Sequence, residues 1–214
     1  MTTKLPLPAV PSPRPTAPAP FPAASPSPPA GSWTLSQLAG RLSEISSDGS
    51  GGCLSPASRL LVEAQLRGEA AAWVTRPGVC FFPADMEACG VDLAALAVIR
   101  VPDAASAGRA ADKLLRSGAF GLVIVDLGRN GRIPVPLQSR LLGLASRHGA
   151  ALLFLTEKAH GAPSLGPLVS LRVEATRKRT GEAGFDCGLR VLKDKLRGPL
   201  WSQRELRHGP PGLR

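Results

Sequence analysis

Two stretches of the chain, LVIV at residues 122–125 and LLFL at residues 152–155, are apolar without interruption. A strand with one face in water alternates apolar and polar residues. Unbroken runs therefore belong to strands covered on both faces, as in a parallel sheet between two layers of helices. The remainder of the sequence agrees. Strand-length runs at residues 41–46, 70–74, 97–101, 122–126 and 150–155 alternate with helix-length amphipathic segments at 56–67, 84–89, 104–117 and 136–148. In the third of these segments Ala107, Ala111, Leu114 and Leu115 share one face. After Ser164 the pattern becomes apolar pieces at 168–175, at 185–192 and near Trp201, with Thr180 and Gly181 as turn residues between the first two. This end is expected to form antiparallel strands. The expected fold is α/β: a mainly parallel central sheet flanked by helices, extended by C-terminal antiparallel strands.

Composition divides the chain in two. Residues 5–30 are dominated by proline, alanine and serine, which favours extended, unpaired conformers, so residues 1–31 read as a disordered tether and residues 32–214 as one domain. A PxxP-type ligand is the alternative role for the tail. A net charge of +10 favours polyanionic partners, or else simply gives a soluble basic surface. Cys53, Cys80, Cys89 and Cys187 form no CxxC pair and have no histidine at ligand spacing, so they read as reduced thiols of a cytosolic protein and no metal is expected. Without an apolar run of membrane-spanning length or a signal-peptide core, neither membrane insertion nor secretion is expected.

The segment SSDGSGGCLSP, residues 46–56, joins the first strand to the first long helix, where a phosphate-binding loop would lie. Such a loop needs glycine amides to cradle phosphate, a lysine for the β and γ phosphates and a hydroxyl for Mg²⁺. Laid on GxxxxGK[ST], the chain keeps Gly52 but places Ser47, Cys53 and Leu54 at the first glycine, the lysine and the hydroxyl, with Gly49 and Gly51 between. The turn is therefore expected to bind no nucleotide, its N–H groups being met by water or by side chains such as Ser47 and Asp48. Asp126, ending the LVIV strand, stands where a Walker-B carboxylate would hold Mg²⁺, or is a structural strand-end acid. No acid follows the second strand, where VTRPG runs from Val74 to Gly78, and Glu157 after the fifth strand would repel a γ-phosphate.

Basic residues gather toward the C-terminus: Arg172, Arg177, Lys178, Arg179, Arg190, Lys193, Lys195, Arg197, Arg204 and Arg207. On an edge hairpin they would form a phosphate-contacting stripe, or a charged edge that resists aggregation. Arg177, Lys178, Arg179, Lys193, Lys195 and Arg197 are the candidates for partner or DNA contact. Trp201 and Phe185 could stack on bases or pack in the core. His148, His160 and His208 have no evident catalytic or metal partner.

The ordered pieces GRLSEI (40–45), RGEAAAWV (67–74), ACGVDLAAL (88–96), RSGAFGLVIVD (116–126), ALLFLTEK (151–158) and VLKDKLRGP (191–199) together resemble the ATPase core of the RecA recombinases. The resemblance runs over roughly residues 40–207. It implies that Cys53 and Leu54 replace the loop lysine and threonine, that the catalytic glutamate falls near residues 76–78, and that Thr156 and Glu157 replace an Asn-Gln switch. The two DNA-binding loops match residues 127–136 and 159–167 and are shorter here. Lys193 and Lys195 match lysines that reach the neighbouring subunit's ATP in a filament. A core so altered is similar to the ImuA-type (SulA-related) proteins of damage-induced translesion synthesis. The resemblance thus implies a catalytically inactive, cytoplasmic, nucleoid-associated adaptor without cofactor, whose partners are RecA or an ImuB-like accessory subunit of an error-prone polymerase. The alternatives are a divergent DNA-dependent ATPase or recombinase and a basic single-stranded-DNA-binding module.

Overall fold

A computed structural model describes residues 33–79, 81–180, 184–198 and 201–208, and the side chains of these except Arg207 and His208. The expected tail, Cys80 and the turn glycine Gly181 lie outside the described residues. Eight strands form one sheet in the order β3-β2-β4-β5-β1-β6-β7-β8. The first six in that order, β3 (Leu96–Arg100), β2 (Ala70–Thr75), β4 (Phe120–Arg129), β5 (Ala151–Glu157), β1 (Leu42–Ser47) and β6 (Leu171–Thr180), pair in parallel. β7 (Gly184–Asp194) and β8 (Ser202–His208) are added antiparallel. The expected α/β sheet with a C-terminal antiparallel extension is present.

Helices cover both faces. On one side α1 (Leu35–Leu38), α2 (Leu54–Leu66) and α3 (Pro83–Ala88) bury Leu38, Leu60, Leu61 and Met86 against Ile45, Trp73, Ile124 and Leu153. On the other side α4 (Ala104–Ser117) and α5 (Val135–His148) set Ala107, Ala111, Leu115, Leu141 and Ala145 against Val123, Val125, Leu152 and Phe154. Leu122 and Ile124 thus face one helical layer, Val123 and Val125 the other, which is why LVIV tolerates no polar residue. The ends of α4 follow local chemistry: Asp103 caps it by accepting from the Ser106 amide at 2.6 Å, and Gly118 ends it in the left-handed conformation at φ 69°.

The structure differs from the expected boundaries by a residue or two at several element ends, and more informatively in the following places. Arg41 precedes β1 and lies buried with an ion pair, Nη2 to Asp194 Oδ1 at 2.7 Å. β4 runs to Arg129, taking in the start of the segment expected as a loop at 127–136. β6 begins at Leu171 rather than at residue 168, because residues 158–170 cross the sheet face first. The short α1 and a 3₁₀ turn at Leu93–Ala95 have too few residues to show a helical period and went unread.

Candidate functional site

At the carboxyl ends of β1, β4 and β5 the chain places the glycine loop, Asp126 and Glu157 together. The loop spans residues 48–53, with Gly49 at φ 97° and Gly51 at φ 70°. It survives as a strand-to-helix link, and the Ser50 amide donates to Asp48 Oδ1 at 3.2 Å, as expected for a turn closed by its own side chains. Gly52 is buried under β6: a Cβ there would lie 3.1 Å from the Ala175 carbonyl oxygen. Helix α2 starts without a side-chain cap.

Cys53, at the lysine position, is 7% exposed and belongs to the hydrophobic core. Burial pushes its thiol up to about 12, with the Ser47 hydroxyl working in the opposite direction. At the position where the GxxxxGK[ST] pattern is expected to place a lysine, the chain thus holds a buried neutral thiol. Leu54 packs on the same core.

Asp126 is 6% exposed. Burial raises its carboxyl to about 6, opposed by the Gly128 amide, which donates at 3.2 Å, and by the nearby charge of Arg76. Arg76 occupies the region where the catalytic glutamate would fall. Its guanidinium donates through Nε to the Leu127 carbonyl at 2.8 Å and through Nη2 to the carbonyls of Leu127 and Arg129, the latter at 2.9 Å. It clamps the end of β4, where the register slips between Asp126 and Gly128.

Glu157 leans on the loop from β5. A Cβ on Gly49 would stand 2.9 Å from its Oε1, and the same oxygen accepts from Arg129 Nε at 3.1 Å. A carboxylate paired with Arg129 therefore lies against the glycine turn, and Arg177 Nη1 would stand 3.9 Å from a Cβ on Gly51.

Sequence reasoning missed Glu44. It is fully buried in the middle of β1 and accepts from Thr156 Oγ1 at 2.8 Å, from the Leu165 amide at 2.7 Å and from the Lys158 ammonium. Arg172 Nε approaches its other oxygen at 3.9 Å, and neither Nε nor Nη2 of Arg172 has a hydrogen-bond partner among the described residues. The available signal was an acid between Leu42 and Ile45 in a strand expected to be buried, which demands internal partners. Thr156, which the resemblance implies stands in place of a switch residue, is spent in this network.

The basic candidates are dispersed. Strand alternation puts Arg177 and Arg179 on one face of β6 and Lys178 on the other. Arg177 stacks on Phe185, 4.0 Å from the ring centroid, and reaches toward Gly51. Arg190 is tied to Glu174 at 2.9 Å, and His160 Nδ1 meets the other oxygen of that carboxylate at 2.8 Å. Arg204 is exposed on β8, and Trp201 packs against the core. His148 lies against Gly118. At the far end of β7, Lys195 Nζ donates to the Pro167 carbonyl at 2.8 Å, Arg197 is exposed, and Lys193 is half-buried. Burial, then the charges of Lys195 and Arg172, hold the Lys193 ammonium below the usual lysine range. The His208 and Arg207 side chains lie outside the described residues.

No family profile matches the chain. Among curated proteins, Protein RecA of a Picosynechococcus strain is 28% identical over 216 aligned positions, which cover 80% of this chain and 62% of RecA. The chain therefore spans less than two thirds of that relative. The match supports a RecA-like superfamily relationship, and the mostly parallel eight-stranded sheet is consistent with a RecA-like fold.

Proposed function

We propose that this chain is a RecA-related adaptor without nucleotide turnover, which docks on a RecA protomer or on an ImuB-like accessory subunit of a translesion polymerase during the bacterial DNA-damage response. One observation carries the reading: the positions that would handle nucleotide are each committed to an internal contact. Cys53 is a buried neutral thiol, Glu157 lies on the glycine turn, Arg76 clamps backbone carbonyls, and Asp126 caps its own bulge. Lysine, metal hydroxyl and catalytic carboxylate act as a unit in such sites, so their joint replacement removes essentially all rate acceleration.

The opposite surface is different. Lys193 and Lys195 sit at the end of β7, and among the described residues Lys193 makes no hydrogen bond or ion pair. A half-desolvated ammonium gains from an anion supplied by a partner. A protomer that offers these lysines but presents no nucleotide of its own can join one end of a RecA–ATP filament and cannot accept the next subunit, a heterologous contact that stops.

Two measurements test this. Equilibrium dialysis with ATP and Mg²⁺ is expected to give no saturable binding, and micromolar affinity would overturn the adaptor reading. Binding to RecA–ATP filaments is expected to fall at least about tenfold in the Lys193→Ala/Lys195→Ala variant. Unchanged binding sinks the docking surface.

A further inference from the structure

A cleft of about 410 Å³ opens at the carboxyl ends of β2 and β3, away from the glycine loop. Thr75, Arg76, Val79, Phe81, Arg100 and Val101 supply most of its wall, and among the described residues no acidic residue lines it. Phe81 forms an apolar side backed by Trp73, with ring centroids 5.2 Å apart. The next residue, Phe82, is 58% exposed and extends apolar surface beyond the cleft. Asp103, the nearest acid in sequence after the lining segment, is occupied in capping α4.

The two arginines have different states. Arg76 is held through Nε and Nη2 by the carbonyls of Leu127 and Arg129, so only its Nη1 is left to donate. Arg100 is exposed and, among the described residues, makes no hydrogen bond or ion pair. One free guanidinium fits one carboxylate as a two-pronged donor. Polyphosphate requires a nest of amides, and the wall is poor in them: Pro77 and Pro102 have no N–H, and the Val101 amide donates to the Thr75 carbonyl at 2.9 Å. The volume lies within the roughly 300–1,000 Å³ of ordinary ligand clefts, and the aromatic wall suits a bulky apolar side chain.

We propose that this cleft is a docking site for an extended peptide segment of a protein partner, one that carries an aspartate or glutamate beside a bulky apolar residue. The carboxylate pairs with Arg100, and the apolar side chain enters against Phe81, Val79 and Val101. This second surface names the chemistry of a partner that the adaptor reading leaves open, and it does not involve Lys193 or Lys195.

The test uses the full chain and a fluorescein-labelled, end-capped peptide containing Asp-Asp-Leu-Phe, followed by fluorescence anisotropy at physiological salt. Saturable binding is expected. It should weaken about tenfold or more in Arg100→Glu, an exposed change that leaves the circular dichroism spectrum intact, and equally when the peptide's aspartates become asparagines. Phe82→Ser should weaken it further. Lys193→Ala/Lys195→Ala should leave peptide binding unchanged, so failure here and failure of filament docking are told apart. Absence of saturable binding, indifference to Arg100→Glu, or displacement of the peptide by ATP overturns the proposal.

Discussion

Asp126 shows how the surroundings of a strand acid set its titration. Burial holds its carboxyl near 6 in the folded chain, against 3.8 for the free side chain. A raised carboxyl pKa means that the folded state holds the proton more tightly than the unfolded state. The associated stability is complete below about pH 4 and is lost as pH rises through 6. A shift of this size corresponds to about 3 kcal/mol. Asp126→Asn keeps an oxygen for the Gly128 amide and removes the titration. The stability difference between the variant and the parent, read from urea midpoints, should therefore grow in the variant's favour from pH 4 to pH 7. A difference independent of pH contradicts this. Asp126 was legible in the sequence because it ends an apolar run. The pairing of Glu44 with Lys158, Thr156 and the Leu165 amide was not, because those partners lie more than a hundred residues away and meet it only once β5 and the following connection are folded over β1.

At the scale of elements, legibility followed periodicity. Helix α4 was expected at 104–117 and is found there, since an amphipathic repeat with an Asp cap and a terminal glycine fixes both ends. The start of β6 was misplaced because Val169 is apolar and buried without belonging to a strand, and apolar character alone does not distinguish the two. The glycine loop was placed correctly, but its support was invisible in the sequence. It is held by contact with β6, with Gly52 pressed on the Ala175 carbonyl, as well as by its own turn chemistry. Gly52→Ala should therefore force the loop and β6 apart and cost about 1–3 kcal/mol in denaturant unfolding, whereas a loop that needed space only for phosphate would tolerate the methyl group. Gly68, where an added Cβ meets nothing within 4 Å but φ is 71°, provides the comparison of backbone strain alone.

The whole molecule is asymmetric in a way that bears on how it would assemble. Its loop end carries Glu157, Asp48 and the buried Asp126, while the end of β7 carries Lys193, Lys195 and the exposed Arg197 and Leu196. Two copies meeting head to tail would set the lysines of one against a glycine turn already lined by Glu157, with no ATP between them. Such a contact has charge complementarity only at Asp48 and at Glu157, which Arg129 already pairs, and exposed pairs of this kind are worth at most about 1 kcal/mol each. Self-polymerisation is therefore not expected, and a filament that gains this protomer at its end has no second strong surface to extend from. Added to RecA–ATP filaments on single-stranded DNA, the protein should shorten them at a ratio of about one copy per filament end, with decoration confined to ends in electron micrographs. Uniform decoration along the filament, or shortening that persists with Lys193→Ala/Lys195→Ala, would show that it acts through a side surface instead. The steepness of the salt dependence separates this from DNA coating. End capping through two lysines should weaken modestly with salt, whereas coating through many phosphate contacts would fall by orders of magnitude between about 50 and 200 mM.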